Sequence, residues 1–243
     1  MRKYLFAFLL APALLHAQKS ARESAPIDLT GNWVSIVTED YRWRMVTPLK
    51  GDSASVPINA EGRKIVNAWD PAKDEAAGLQ CKAYGAPALM RIPGRLRISW
   101  ADANTLKIEA DAGTQTRLLH FVSSTPGAAS WQGFSLAKWE VPPGRLTRGG
   151  LGLAIEGTES KSLEVSTTQL RAGYLRKNGV PYSEKAALSE YFDLFKEPNG
   201  EEWLTVTTVV TDPIYLAVPF VTTTDFKRES DGSKFDPSPC SAR

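Results

Sequence analysis

The stretch Asp28-Leu29-Thr30-Gly31-Asn32-Trp33, DLTGNW, leads into the run NWVSIVT, which is short and rich in Val, Ile and Trp. Such a run reads as a β-strand, and a glycine just ahead of it frees the backbone to bend into that strand.

The rest of the chain repeats this rhythm. RWRMVTP follows, then RLRISW, TLKIEAD, TQTRLLHFV, FSLAKWEV, KSLEVSTTQL, LSEYFDLF, EWLTVTTVV and LAVPFVTT, separated by Gly, Pro, Asn and Asp. About ten short strands with turn signals between them predict a mainly β fold, a single antiparallel lipocalin-like barrel. One segment breaks the pattern. INAEGRKIVNAWDPAKDEAAGLQC carries Ile65, Val66 and Trp69 at near-helical spacing after Asn59, an N-cap residue, and Asp70-Pro71 then stops one helix and starts another. The domain plan is therefore a signal segment over 1–17, a disordered leader over 18–27 and a barrel over 28–229. A two-helix insert occupies 59–80, after the second strand, and a tail runs over 230–243. TPGAAS and TRGGLGLAIEGTES read as flexible loops.

The start, MRKYLFAFLLAPALLHA, has two basic residues, a short apolar run and a small residue, Ala17, after which a signal peptidase could cut. The apolar run is too short to cross a bilayer as a helix, so a secreted or periplasmic chain without stable membrane insertion is expected. Without Arg2 and Lys3 the 29 Lys+Arg fall to 27, matching the 27 Asp+Glu. A balanced chain with no basic block argues against a nucleic-acid partner. The two cysteines, Cys81 and Cys240, are expected to pair in an oxidising compartment and to tie the tail back. Two cysteines and one histidine beyond the signal leave no pattern for a metal, and no cofactor motif is present.

The hairpin TLKIEADAGTQTRLLHF can be read in register. A two-residue turn at Ala112-Gly113 sets Thr105 opposite His120 and Glu109 opposite Thr116. Glu109, Thr116 and His120 then share one face, and Arg117 shares the other with Leu106, Ile108 and Leu119. Glu109 and His120 lie four residues apart along the ladder, roughly 13 Å, too far for a direct acid–base pair. If the protein is an isomerase, cyclase or hydrolase, the candidates are Glu109, His120 and Glu140 as acid or base and Arg117 as an anion holder. Glu190 and Asp212 are further carboxylates. If it binds a small apolar or amphipathic ligand, Trp100, Trp131, Trp139 and Trp203 are the candidate wall, because flat side chains facing a barrel interior make an apolar site. A third alternative is an envelope interaction module without a pocket.

Two resemblances bear on these alternatives. Gly31-Asn32-Trp33 resembles the Gly-x-Trp signature of lipocalins, a resemblance that implies a ligand barrel in which an arginine from a late strand, here Arg228, packs across Trp33. From Cys81 to Phe226, about three fifths of the chain, the sequence resembles a broad group of secreted bacterial proteins to which no activity is attached. That group shows Cys-x-x-x-Gly-x-Pro, then Trp-x-Gly-x-Ser-x-x-x-Trp-Glu, then Asp-Pro. The match falls on Gly85, Pro87, Glu109, Arg117, Trp131, Gly133, Ser135, Trp139, Glu140, Thr167, Thr168, Ser183, Glu190, Asp212 and Pro213. Tyr191 departs from the group's arginine, and Ala137 and Val141 replace its glycines. The resemblance implies an exported β fold and names no reaction.

Overall fold

The computed structural model describes residues 19–140 and 161–242. The signal segment with its cut after Ala17, and the loop over 147–160, lie outside the described residues. Nine strands close a barrel: β1 Gly31–Ile36, β2 Arg95–Trp100, β3 Thr105–Ala110, β4 Gln115–His120, β5 Phe134–Glu140, β6 Ser162–Thr168, β9 Ala187–Lys196, β10 Glu202–Thr211 and β11 Phe220–Glu229. A separate hairpin holds β7 Gly173–Arg176 and β8 Val180–Tyr182. The barrel strands neighbour one another in chain order, and β1 closes onto β11.

The barrel is mixed, not wholly antiparallel. A closed meander with an odd number of strands must contain a parallel pair, and here it is β4 with β5, Leu119 beside Ser135 and His120 beside Leu136. The segment between them runs back along the barrel before β5 begins. The β3–β4 hairpin has the register read from the sequence, with Thr105 opposite His120, Ile108 opposite Arg117 and Glu109 opposite Thr116.

The expected second strand, RWRMVTP, is instead the helical turn α1 Tyr41–Arg44 followed by irregular chain. The physical reason is closure. β1 is already paired with β2 on one side and β11 on the other, so no free edge remains for residues 42–48. The two helices of the insert form, but between β1 and β2, since the expected second strand is absent there. α2 Ala60–Ala68 is capped by Asn59, whose side chain accepts from the Gly62 N–H at 3.0 Å, and α3 Pro71–Ala76 by Asp70, which accepts from Ala72 N–H at 3.1 Å. A 3-10 turn, Gln80–Tyr84, and α4 Ala86–Leu89 follow. These helices and the β7–β8 hairpin cover one end of the barrel, packing Val66, Ala86, Leu175, Val180 and Tyr182 on Leu188, Val210 and Phe220.

The other end is closed by the opening stretch. Asp28 Oδ1 accepts from the Thr30 N–H and hydroxyl, forming a local turn. Trp33 points inward, fully buried, and its indole N–H donates to the Leu29 carbonyl at 3.1 Å. The Arg228 guanidinium lies 4.3 Å from the centre of the Trp33 ring and donates to the carbonyls of Thr30 and Asp28. Gly31 has φ +133°, and a Cβ there would stand 2.3 Å from Arg228 Nη1. The backbone conformation therefore favours glycine, and any larger residue would also have to displace the end of the arginine lying over it.

The leader is ordered where it is described, in contrast to the disorder expected from its small polar residues. Ala21 N–H donates to the Asn104 side chain, Arg22 N–H to the Ala103 carbonyl, and the Trp139 indole to the Ala21 carbonyl. Partners far away in sequence supply these bonds, which composition alone does not reveal. Cys81 and Cys240 form a disulfide, and the Ser238 N–H donates to the Asp111 carbonyl, so the tail lies against the helical cap and the β3–β4 turn. Among the described residues no helix is long and apolar enough to cross a membrane.

Candidate functional site

The barrel interior is filled. Trp33, Leu96, Ile98, Leu106, Ile108, Leu119, Leu163, Phe192, Val206 and Phe226 pack into one core. Within it lies an ion pair: Arg117 Nη1 and Nη2 donate to the two Glu190 carboxylate oxygens at 2.9 and 2.6 Å, both side chains wholly shielded from solvent. Ser135 and Thr167 hydroxyls stand 3.4 and 3.3 Å from the same Nη2 and 2.8 Å from each other. Arg117, Ser135, Thr167 and Glu190, read separately in the sequence, thus form one network that pins β4, β5, β6 and β9 from inside. Another pair of the same pattern meets at the cap, where Asp212 accepts from the Ser183 N–H and hydroxyl.

The acid–base candidates do not converge. Glu109 is on the outer face, salt-bridged to Lys107 at 3.0 Å. His120, also facing out, stacks on Phe134 at 5.2 Å with Thr105 Oγ1 3.5 Å from its Nδ1. Glu140 is exposed at the far end of β5, where a shared hydrogen bond with Glu164, then partial burial and the Glu164 charge, push its carboxyl upward. Arg117 is sealed inside with Glu190. The tryptophans divide as well. Trp100 and Trp139 cluster around Phe121 under the leader. Trp131 lies beneath Arg171 at 4.5 Å, and Trp203 stacks on Phe195 at 6.5 Å near the closed end. No single cavity gathers them.

A cleft of about 370 Å³ opens at the capped end, where α1, α4 and the β7–β8 hairpin meet, within the size range of small-molecule sites. Its walls include Trp43, Tyr84, Arg44, Arg91, Arg176 and Lys177, with Met45, Val46, Ile92 and Pro93 forming an apolar side. Met45 and Val46 on this side are exposed to solvent. Local structure explains how the arginines arrive. Asp40, at φ +51°, turns the chain into α1 and delivers Arg44 inward; Arg91 follows α4, whose first turn holds Pro87; Arg176 ends β7.

Three nearly buried guanidiniums share this wall, Arg44 at 8%, Arg91 at 6% and Arg176 at 5% exposure. Arg44 pairs with Glu39 and donates through Nε to the Arg91 carbonyl at 2.9 Å. Arg91 pairs with Asp40 at 2.5 Å. Arg176 has no carboxylate within ion-pair distance among the described residues; it donates to the Ala54 carbonyl at 2.7 Å and the Ser55 hydroxyl at 2.8 Å. Its guanidinium also lies 4.9 Å from the centre of the Trp43 ring. Burial, then the Arg91 charge, lowers Arg176 to about 10, still protonated at neutral pH. Burial lowers Arg44 too, against the opposing pull of Glu39. Part of this construction is structural, because Arg176 and Asn178 together hold the loop over 49–55 onto the cap.

Sequence reasoning did not single out these arginines. They come from three distant segments, and an isolated Arg in a polar or helical run carries no signal by itself. Trp43 stands in the run RWRMVTP, and only the fold sets it beside Arg176. No family model, curated protein or solved structure matches the chain.

Proposed function

We propose that the protein is an exported β-barrel that binds a small amphipathic molecule, and that the ligand lies in the cleft at the capped end instead of inside the barrel. The observation that carries this reading is the pairing of a packed barrel core with an outlying cleft whose walls are aromatic, aliphatic and cationic. A ligand there would set a flat or aliphatic body against Trp43, Tyr84 and Met45 and a polar end toward the arginines. Export is supported by the Cys81–Cys240 disulfide, which persists in an oxidising compartment, and by the signal-like first 17 residues.

Tryptophan fluorescence tests the reading. Titration with a panel of fatty acids, terpenoids and aromatic acids is expected to give a saturable change that the Trp43→Phe variant loses while its thermal unfolding stays close to that of the parent. Saturable binding retained in full by Trp43→Phe would move the ligand elsewhere, and no saturable response to any member of the panel would overturn the reading.

A further inference from the structure

We infer that the polar end of that ligand is an oxyanion, a carboxylate or phosphate, recognised by Arg176 with Arg91 and Arg44 behind it and Lys177 beside the opening. This rests on the cleft being the binding site and adds the chemical class of what it takes.

Around the cleft stand Arg44, Arg91, Arg176 and Lys177, while among the described residues the carboxylates in ion-pair contact with them are Glu39 and Asp40. Asp52 is engaged by Arg42 at 3.3 Å and by the Trp43 indole at 3.2 Å, and it acts on Arg176 only through its more distant charge; Asp225 likewise reaches Arg44 only at longer range. Among the described residues Arg176 and Lys177 thus have no carboxylate in ion-pair contact; Arg176 is almost wholly buried and Lys177 lies 5.8 Å from the centre of the Tyr84 ring. Buried charge is costly unless paired and hydrogen-bonded. Arg44 Nη2, Arg91 Nη1 and Arg176 Nε are buried without a hydrogen-bond partner, so each guanidinium in this wall carries an unmet donor. Guanidinium forks match planar oxyanions, and an ammonium at the entrance adds steering. The apolar side of Met45, Val46, Ile92 and Pro93 lines the same cleft, which suits a chain or ring attached to the anionic group.

Isothermal titration of the full chain with decanoate, decyl phosphate, decanol and inorganic phosphate, each below its micellar concentration, tests the inference. Decanoate and decyl phosphate are expected to bind at least about tenfold more tightly than decanol, a gap that narrows as sodium chloride rises because exposed charges are screened. Lys177→Gln is expected to reduce the gap severalfold and Arg176→Gln to erase it, each by weakening the anions far more than decanol. Inorganic phosphate matching decyl phosphate would identify a free anion as the occupant; much weaker binding would identify the head of an amphiphile. Should Arg176→Gln fail to fold, because it also holds Ala54 and Ser55, Lys177→Gln and the salt series decide. Decanol binding as tightly as the anions, or a preference untouched by Lys177→Gln and by salt, would overturn the inference and leave the cleft a neutral binding site. No binding of any probe would overturn the site itself.

Discussion

Replacing Glu190 with glutamine tests the sealed network at the centre of the barrel. The variant keeps the side-chain shape and removes the charge that faces Arg117 at 2.6 and 2.9 Å. With both side chains fully shielded, water cannot compensate the guanidinium left behind, and Ser135 and Thr167 offer only neutral hydroxyls. Breaking a buried pair from one side costs about 3–5 kcal/mol, a large share of a typical domain's 5–15 kcal/mol. At about 2–4 °C per kcal/mol for a chain of this size, the midpoint should fall by roughly 6–20 °C. Arg117→Met should cost a similar amount by stranding the carboxylate. The double variant, Arg117→Met with Glu190→Leu, removes both desolvation penalties and should lie within about 2 kcal/mol of the parent, far less than the sum of the single changes. Urea unfolding with the disulfide intact, followed by tryptophan fluorescence and circular dichroism, gives all four free energies. Additive losses in the double variant, or a loss below about 1 kcal/mol for Glu190→Gln, would refute the account of a shielded, mutually dependent pair.

Three further outcomes are expected. Gly31→Ala must accept φ +133° and displace Arg228 from the Thr30 carbonyl and the Trp33 ring, so a loss of about 2–4 kcal/mol in chemical denaturation is expected; a loss under about 0.5 kcal/mol would show that the close approach is not required. Changing Cys81 and Cys240 together to serine opens a loop spanning 159 residues and should cost up to about 5 kcal/mol, with protease cutting the tail faster than the barrel; equal cutting rates in parent and variant would contradict the tethering. Carboxyl NMR should show Glu140 titrating above the ordinary carboxylate range, because of its hydrogen bond to Glu164, and Glu164 below it, because of its hydrogen bond to Lys138. The folded state then holds the Glu140 proton more tightly than the unfolded chain, so that group's contribution to stability declines as pH rises through its raised pKa. Glu164 contributes the opposite way, its stabilisation being lost as pH falls through its lowered value. Coincident titration of the two would remove the coupling.

Short-range chemistry made much of this molecule legible in its sequence. Runs of β-branched and aromatic residues marked most of the barrel strands, and the two-residue turn at Ala112-Gly113 set the β3–β4 register and sent Arg117 inward, because side chains alternate whatever surrounds them. Asn59 and Asp70 announced their helices, since a cap acts within three residues, and two lone cysteines pointed to one bridge. What required tertiary structure was set by partners remote in the chain. Barrel closure left residues 42–48 without an edge and turned an expected strand into α1. The last strand runs Phe220–Glu229 and not from Leu216, because Pro219 cannot donate to a ladder and Leu216 instead bridges Ile58. β7 and β8, of four and three residues, are too short to show a period. The leader's order depends on Asn104 and Trp139. Most consequential is the wall of Arg44, Arg91 and Arg176. A charged side chain in a sequence reads as solvated, and only the fold buries three together with two carboxylates in ion-pair contact among the described residues, leaving Arg176 without such a partner.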